Sequence, residues 1–276
     1  MSTWESASLS GIPERTGAQE EAPREAVRTH VLDVAEELIN QHGLTVGLGH
    51  LSFDEIILKA EVSRTTAYRV WPRKERFLED LLRRLADVVS PCYGPLDGDT
   101  AQVTFATLRK HADHLATPEG RRKMLVEACR VTADSWVEGA STSPQWRTYI
   151  ALMATIRSIG NEKLTNELRD RMYAVDNQAA IQVSAFYMQA LALLGFHLRE
   201  LAPVDLVLLG GAALTGAVFL TDIRPTVAAP LGKIDPFGTG MRADWSPASI
   251  AYTGAVLGAL EPDPDYDLEQ ALSSFG

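Results

Sequence analysis

Residues 52–78 read SFDEIILKAEVSRTTAYRVWPRKERFL, and the fold is decided here. Ser52 followed three positions later by Glu55 is a capping-box pattern, in which each side chain satisfies a backbone donor that the first helical turn leaves open. A helix therefore starts at Phe53, with Ile56 and Ala60 on one side of it. The chain turns at Glu61-Val62, and Ser63 is placed to cap a second short helix running to about Val70. Two helices, the first under three turns, joined by three or four residues make a helix-turn-helix.

The second of these helices carries what a DNA major groove requires. Arg64, Thr65 and Thr66 project from its first turn, the part that reaches base edges when such a helix docks. Arginine pairs bidentately with guanine, and threonine bonds an acceptor or touches a thymine methyl. Tyr68, Arg69, Arg73 and Lys74 suit phosphates, which fix register rather than sequence. Between residues 63 and 76 the basic side chains are Arg64, Arg69, Arg73, Lys74 and Arg76, against Glu75 alone. A chain with net charge -10 does not coat nucleic acid indiscriminately, so this island matters. Charge runs are usually solvated helix faces; the capped pair of helices is what favours a DNA surface here.

This segment resembles the TetR family of transcriptional repressors. The resemblance is carried by a first helix ending at Gly43, then by Ser52 with Ile56 and Ala60. Val62-Ser63-Arg64, Thr66, Tyr68, Trp71 and Lys74-Glu75 with Leu78 continue it, over about residues 24–80. It implies DNA contacts from Ser52, Arg64, Thr65, Thr66, Tyr68 and Lys74, and it places Val62 and Trp71 in the small domain's core; Ser63, Arg69 and Arg73, read from the segment itself, complete the expected DNA-binding set. It also implies that the rest of the chain is a helical ligand-binding and dimerisation domain. The chain departs from the family pattern at four places: Ile57 where alanine is usual, Glu61 where glycine is usual, Val70 in place of an aromatic or histidine, and a longer connection from Gly43 to Ser52.

Outward from the segment the pattern stays helical, so the expected fold class is all-α. A helix fits residues 23–41, with Pro23 in its first turn and Val27, Val31, Val34, Leu38 and Ile39 on its apolar side. Residues 1–22 are rich in Ser, Gly, Glu, Ala and Pro and read as a disordered tail without a signal peptide. Pro91 and the Gly/Pro/Asp-rich stretch 94–99 close a DNA-binding domain over 23–90. Beyond it, 91–260 form the larger helical domain and 261–276 an acidic tail. Phe105, Leu108, Ala112 and Leu115 share one helix face, Thr117-Pro118 and Ser143-Pro144 start two more helices, and Gly160-Asn161 ends or kinks the latter. Residues 177–198 and 206–221 carry no formal charge. The first is dotted with Asn, Gln and Ser, and the second is short of a membrane span, so both read as buried helices. A Pro- and Gly-rich loop is expected at about 223–247, before a last apolar helix at 247–260.

Several partners follow from this layout. The small-residue helix at 203–222 and the helix at 247–260 are expected to form a homodimer as a four-helix bundle. Trp136, Trp146, Tyr149, Met153, Phe186, Tyr187 and Met188 are candidate walls of a pocket for an apolar or amphipathic effector, although aromatic stripes are more often plain core. His111 and His114 put two imidazoles at i, i+3 with the Asp113 carboxylate beside them, a pair suited to a metal, but no third ligand follows at helical spacing, so a surface or core-edge role is expected. No nucleophile-elbow, phosphate-loop, dinucleotide or zinc-protease motif occurs, so neither an enzyme nor a cofactor is expected. Cys92 and Cys129 sit in no redox or metal spacing, which reads as a reduced, cytoplasmic protein. The resulting expectation is a ligand-responsive regulator binding a palindromic double-stranded operator. The alternative is a helical interaction module that keeps the fold without binding DNA.

Overall fold

A computed structural model describes residues 17–42, 52–88, 99–110 and 112–273. The expectations placed on residues 1–16, Gly43, Pro91, the 94–98 stretch and His111 lie outside these residues. The fold is all-helical apart from two small ladders. The helices are α1 (Gly17–His42), α2 (Phe53–Lys59), α3 (Arg64–Val70), α4 (Lys74–Val88), α5 (Asp99–Lys110) and α6 (Pro118–Thr142). They continue with α7 (Pro144–Ser158), α8 (Glu162–Leu194), α9 (Pro203–Thr221), α10 (Pro247–Gly258) and α11 (Leu268–Ser273).

Short polar side chains start most of these helices. The hydroxyls of Thr117 and Ser143 accept from the backbone N–H of Gly120 and Trp146, and the Asn161 carbonyl from that of Leu164. Each satisfies a donor the first turn would otherwise leave open, as the Thr-Pro and Ser-Pro signals predict. At the far end of α8, Gly195 adopts φ 67 to stop the helix. The first helix is longer than expected: it begins at Gly17, which puts Pro23 inside it instead of in its first turn. Proline costs that helix one backbone hydrogen bond but fits from its own position onward, so the apolar pattern beginning at Val27 misses the preceding turns.

Two cores organise the chain. One gathers Val31, Ala35 and Ile39 of α1, Ile56 and Ile57 of α2, Ala67 of α3 and Phe77, Leu81 and Leu85 of α4. That core also contains Ala151, Leu152 and Ile156 of α7 and Leu164, Leu168 and Met172 of α8. The boundary expected near residue 91 is therefore not a boundary in the packing, because the four N-terminal helices complete their core on α7 and α8. The second core joins α6, the C-terminal half of α8, α9 and α10, including Leu125, Trp136, Leu194, Leu206 and Tyr252.

Ion pairs stitch the seam between α4 and α8. Arg83 meets Glu167 at 2.8 Å and Arg171 meets Asp87 at 2.8 Å, while Arg84 reaches Asp33 and Glu36 on α1. The C-terminal stretch is acidic but not a loose tail. Leu260–Pro262 (β4) pairs antiparallel with Phe196–Leu198 (β1), and Tyr266 donates to the Leu193 carbonyl beneath the Arg121 guanidinium. The expected loop at 223–247 holds a short ladder, Lys233–Ile234 (β2) with Ala243–Asp244 (β3), and buries Trp245. Among the described residues α9 alone is long and apolar enough to cross a membrane, at 19 residues and mean hydropathy 1.9. It packs against α6, α8 and α10, and a third of its apolar stretch is buried in the monomer.

Candidate nucleic-acid interface

The local geometry of 52–78 follows its sequence. Ser52 Oγ accepts from Glu55 N at 3.3 Å and starts α2 at Phe53. Ser63 Oγ accepts from Thr66 N at 3.2 Å and starts α3. Residues 60–63 join the helices, and Glu61 lies at φ 54, the one non-glycine residue with positive φ among those described. A left-handed backbone strains an L side chain by roughly 1–2 kcal/mol, so the turn is held by what surrounds it. His30 Nε2 lies 2.9 Å from the Ala60 carbonyl, and Val62 N donates to the Ile57 carbonyl.

Behind the two helices sits an aromatic cluster. Phe53 stacks on Phe77 at 4.6 Å between centroids, and Trp71 meets both rings edge-on. The Trp71 indole N–H donates to Asp80 at 2.7 Å, and Asp80 also pairs with Arg28 of α1 at 2.8 Å. Arg24 donates to the Arg69 carbonyl at the end of α3. As expected, Trp71 is buried and Val62 packs against this core. Ile57, bulkier than the usual alanine, is accommodated as a buried core residue, and Val70 likewise packs inward.

The outward side carries Ser52, Ser63, Arg64, Thr65, Tyr68, Arg69 and Arg73 exposed, with Thr66 and Lys74 half-buried. The sequence-predicted residues are thus all at least partly accessible. Two qualifications come from ion pairing. Arg64 is held at 3.3 Å by Asp54, and Arg76 pairs with Glu79 at 3.0 Å. Arg69, Arg73 and Lys74 enter no ion pair among the described residues, so three cations remain unneutralised. Tyr68 meets the Phe53 ring in an edge arrangement at 5.4 Å and stays exposed. Such a surface can neutralise phosphates and present hydroxyl and guanidinium groups to base edges.

The expected pocket residues do not converge on one cavity. Phe186 and Tyr187 line an inner slot of about 50 Å³, bounded also by Leu108, Cys129, Leu191 and Tyr252. Trp136 and Tyr187 line an outer crevice of about 270 Å³ bounded by α5, α6, α8 and α9. Trp146, Tyr149, Met153 and Met188 line neither of these two spaces. Trp146 packs edge-on against Trp136 and stacks on Tyr149, an ordinary core arrangement, while Met153 is exposed. Sequence reading missed Thr100, Thr104, Thr132 and Asp176, which line these spaces. An isolated Asp or Thr in an amphipathic helix looks like a solvent-facing residue, so periodicity held no signal for them.

Chemistry inside the slot is subdued. Burial pushes the Cys129 thiol up to about 12, which makes it a poor nucleophile. Tyr252 is also raised by burial and shares a 2.9 Å hydrogen bond with Tyr187. Among the described residues no group of three His, Cys, Asp or Glu side chains could hold a metal ion. Comparison of the chain with family models, with curated proteins and with solved structures yields no match.

Proposed function

We propose that the chain is a cytoplasmic DNA-binding transcriptional regulator of the TetR type, without enzymatic activity, acting as a homodimer on a palindromic double-stranded operator. The observation that carries the reading is the capped α2–turn–α3 unit, which leaves Arg64, Thr65, Tyr68 and Arg69 exposed, with Arg69, Arg73 and Lys74 in no ion pair among the described residues. In this reading α3 enters the major groove, Arg64 and Thr65 read bases, and Arg69, Arg73 and Lys74 fix register on phosphates. Two such helices roughly 34 Å apart would meet successive grooves of one operator.

The dimer would form on the outward sides of α9 and α10. Leu209, Ala213, Gly216 and Leu220 make one stripe on α9, and Ala251, Gly254 and Gly258 lie outward on α10. A Cβ placed on Gly216, Gly254 or Gly258 would meet no neighbour within 4 Å. Exposed helical glycines cost about 0.5–1 kcal/mol each relative to alanine, a cost that close approach of a second copy's helices offsets. A small apolar or amphipathic effector in the crevice would release the operator by favouring another arrangement of the dimer.

The test is selection from random duplexes, followed by anisotropy titration of the chosen sequence and a scrambled control at two salt concentrations. A regulator prefers its selected duplex, weakens with salt, and loses that preference in Arg64→Ala and Tyr68→Ala variants that stay folded. A second reading, an interaction module that has lost DNA binding, is favoured by the engagement of Arg64 with Asp54. It predicts no preference over scrambled DNA at either salt.

A further inference from the structure

The slot and the crevice adjoin: Thr132 and Tyr187 belong to the walls of both. Thr132 is a buried residue of α6, and its hydroxyl lies 2.6 Å from that of Thr104 on α5. A threonine hydroxyl has one proton to give and two lone pairs with which to accept. The proton of Thr104 is already placed, on the Thr100 carbonyl one turn earlier, at 2.8 Å. At the contact between the two hydroxyls Thr104 can therefore only accept, and Thr132 must donate. One backbone carbonyl of α5 thus fixes the direction of two buried hydroxyls. It leaves Thr132, in the wall of both spaces, with a lone pair to offer and no proton.

That direction selects a ligand. A ligand O–H placed against Thr132 completes a hydrogen bond there. A carbonyl or ether oxygen in the same place sets lone pair against lone pair, after giving up its bonds to water. The penalty is not relieved by the surroundings, because Leu108, Leu125, Leu191 and Leu206 make the nearby slot wall apolar. The tyrosine pair does not discriminate in this way, since either hydroxyl of Tyr187 and Tyr252 can donate across their 2.9 Å contact. We infer that the joined slot and crevice bind an apolar alcohol or phenol, whose hydroxyl donates to Thr132 Oγ1 while its body extends into both spaces. This rests on reading the crevice as the effector site proposed above, and it adds the chemical class of the ligand.

The experiment titrates heptan-4-ol and heptan-4-one calorimetrically into the full-length protein. The two probes share a carbon skeleton, and only the alcohol has a proton to donate. Heptan-4-ol should bind about tenfold tighter. Thr132→Val keeps the shape of the side chain and removes its lone pairs, so it should bring the two affinities within about twofold, chiefly by weakening the alcohol. Thr104→Val acts in the opposite sense. It leaves the Thr132 proton without its acceptor and available to a ligand, so heptan-4-one should gain about threefold while heptan-4-ol holds. Urea midpoints of the same preparations show that both variants are folded. Equal or tighter binding of the ketone by wild type, an affinity ratio unchanged by either substitution, or no binding of either probe would each overturn the inference. The titration involves no DNA, so the two proposals fail separately. Alcohol preference without operator binding removes the regulator and keeps the ligand class; operator binding without alcohol preference does the reverse.

Discussion

Asp54 restrains the residue proposed to read the operator, and neutralising it should separate folding from DNA binding. In the free protein the Asp54 carboxylate lies 3.3 Å from the Arg64 guanidinium, with both side chains largely in solvent, at 46% and 74% exposed. An exposed pair of this kind is worth about 0.2–1 kcal/mol, and Arg64 must break it before it can approach a base. Asp54→Asn removes that cost together with a negative charge facing the phosphates. The operator should then bind roughly 1.4- to 5-fold tighter at fixed salt. Folding should move the other way. Asp54 sits in the first turn of α2, where a negative side chain favourably meets the helix N-terminus, an effect of about 0.3–1 kcal/mol. Losing it along with the ion pair should cost stability of the order of 1 kcal/mol. The assay is anisotropy titration of the selected duplex alongside urea unfolding of the same preparations. Opposite signs in the two measurements are the prediction. Weaker operator binding by a folded D54N protein would refute the placement of Asp54 and Arg64 at the interface.

The remaining predictions concern the scaffold. Phe77 is fully buried between Phe53 and Trp71, so Phe77→Ala should cost about 3–5 kcal/mol in urea unfolding. Leu209→Glu with Leu220→Glu should convert a dimer into a folded monomer by light scattering, whereas a wild-type monomer at micromolar concentration would end the dimer proposal. The Arg83 guanidinium holds the Glu167 carboxyl below the usual glutamate range. A folded pKa below the unfolded one gives stability that is present above about pH 4.3 and is lost as pH falls through the folded value. Wild type should therefore lose its advantage over Glu167→Gln in that acid window, measured by urea midpoints across pH. Cys129 should stay unreacted toward a thiol reagent near neutral pH until the protein unfolds, because its thiolate is suppressed by burial.

What the sequence made legible was local. A hydroxyl that caps a helix acts within three residues, so Ser52, Ser63, Thr117 and Ser143 announced their helices in one dimension. Glu61 was recognisable as standing where a glycine is usual, and its backbone is left-handed as that position demands. The outward face of α3 was legible for the same reason, since seven residues of helix fix which side chains share a side. Features that depend on distant packing were hidden. The closure of the N-terminal core by Leu152 and Leu168 joins residues more than a hundred positions from Val31. Likewise Trp146 and Trp136 offer the same stripe pattern and share the second core, yet only Trp136 also lines the crevice, a distinction set by helix crossings rather than spacing.

That shared packing bears on how a ligand could act. The first half of α8 supplies Leu164, Leu168 and Met172 to the core behind α2 and α3, and its second half supplies Val183 and Tyr187 to the crevice. One continuous 33-residue helix therefore touches both candidate sites. At 1.5 Å per residue such a helix spans about 50 Å, and it has no internal proline to bend at. An effector in the crevice that shifts α8 would also act on the seam with α4, because Arg83–Glu167 and Arg171–Asp87 join α4 to the same helix. Those pairs are half-buried or exposed and individually weak, so they adjust register at small cost, whereas the apolar contacts of Leu164 and Leu168 resist separation. The expected response is thus a shear of α4 along α8 with the core intact, and its size is bounded by the ligand's differential affinity for the two arrangements.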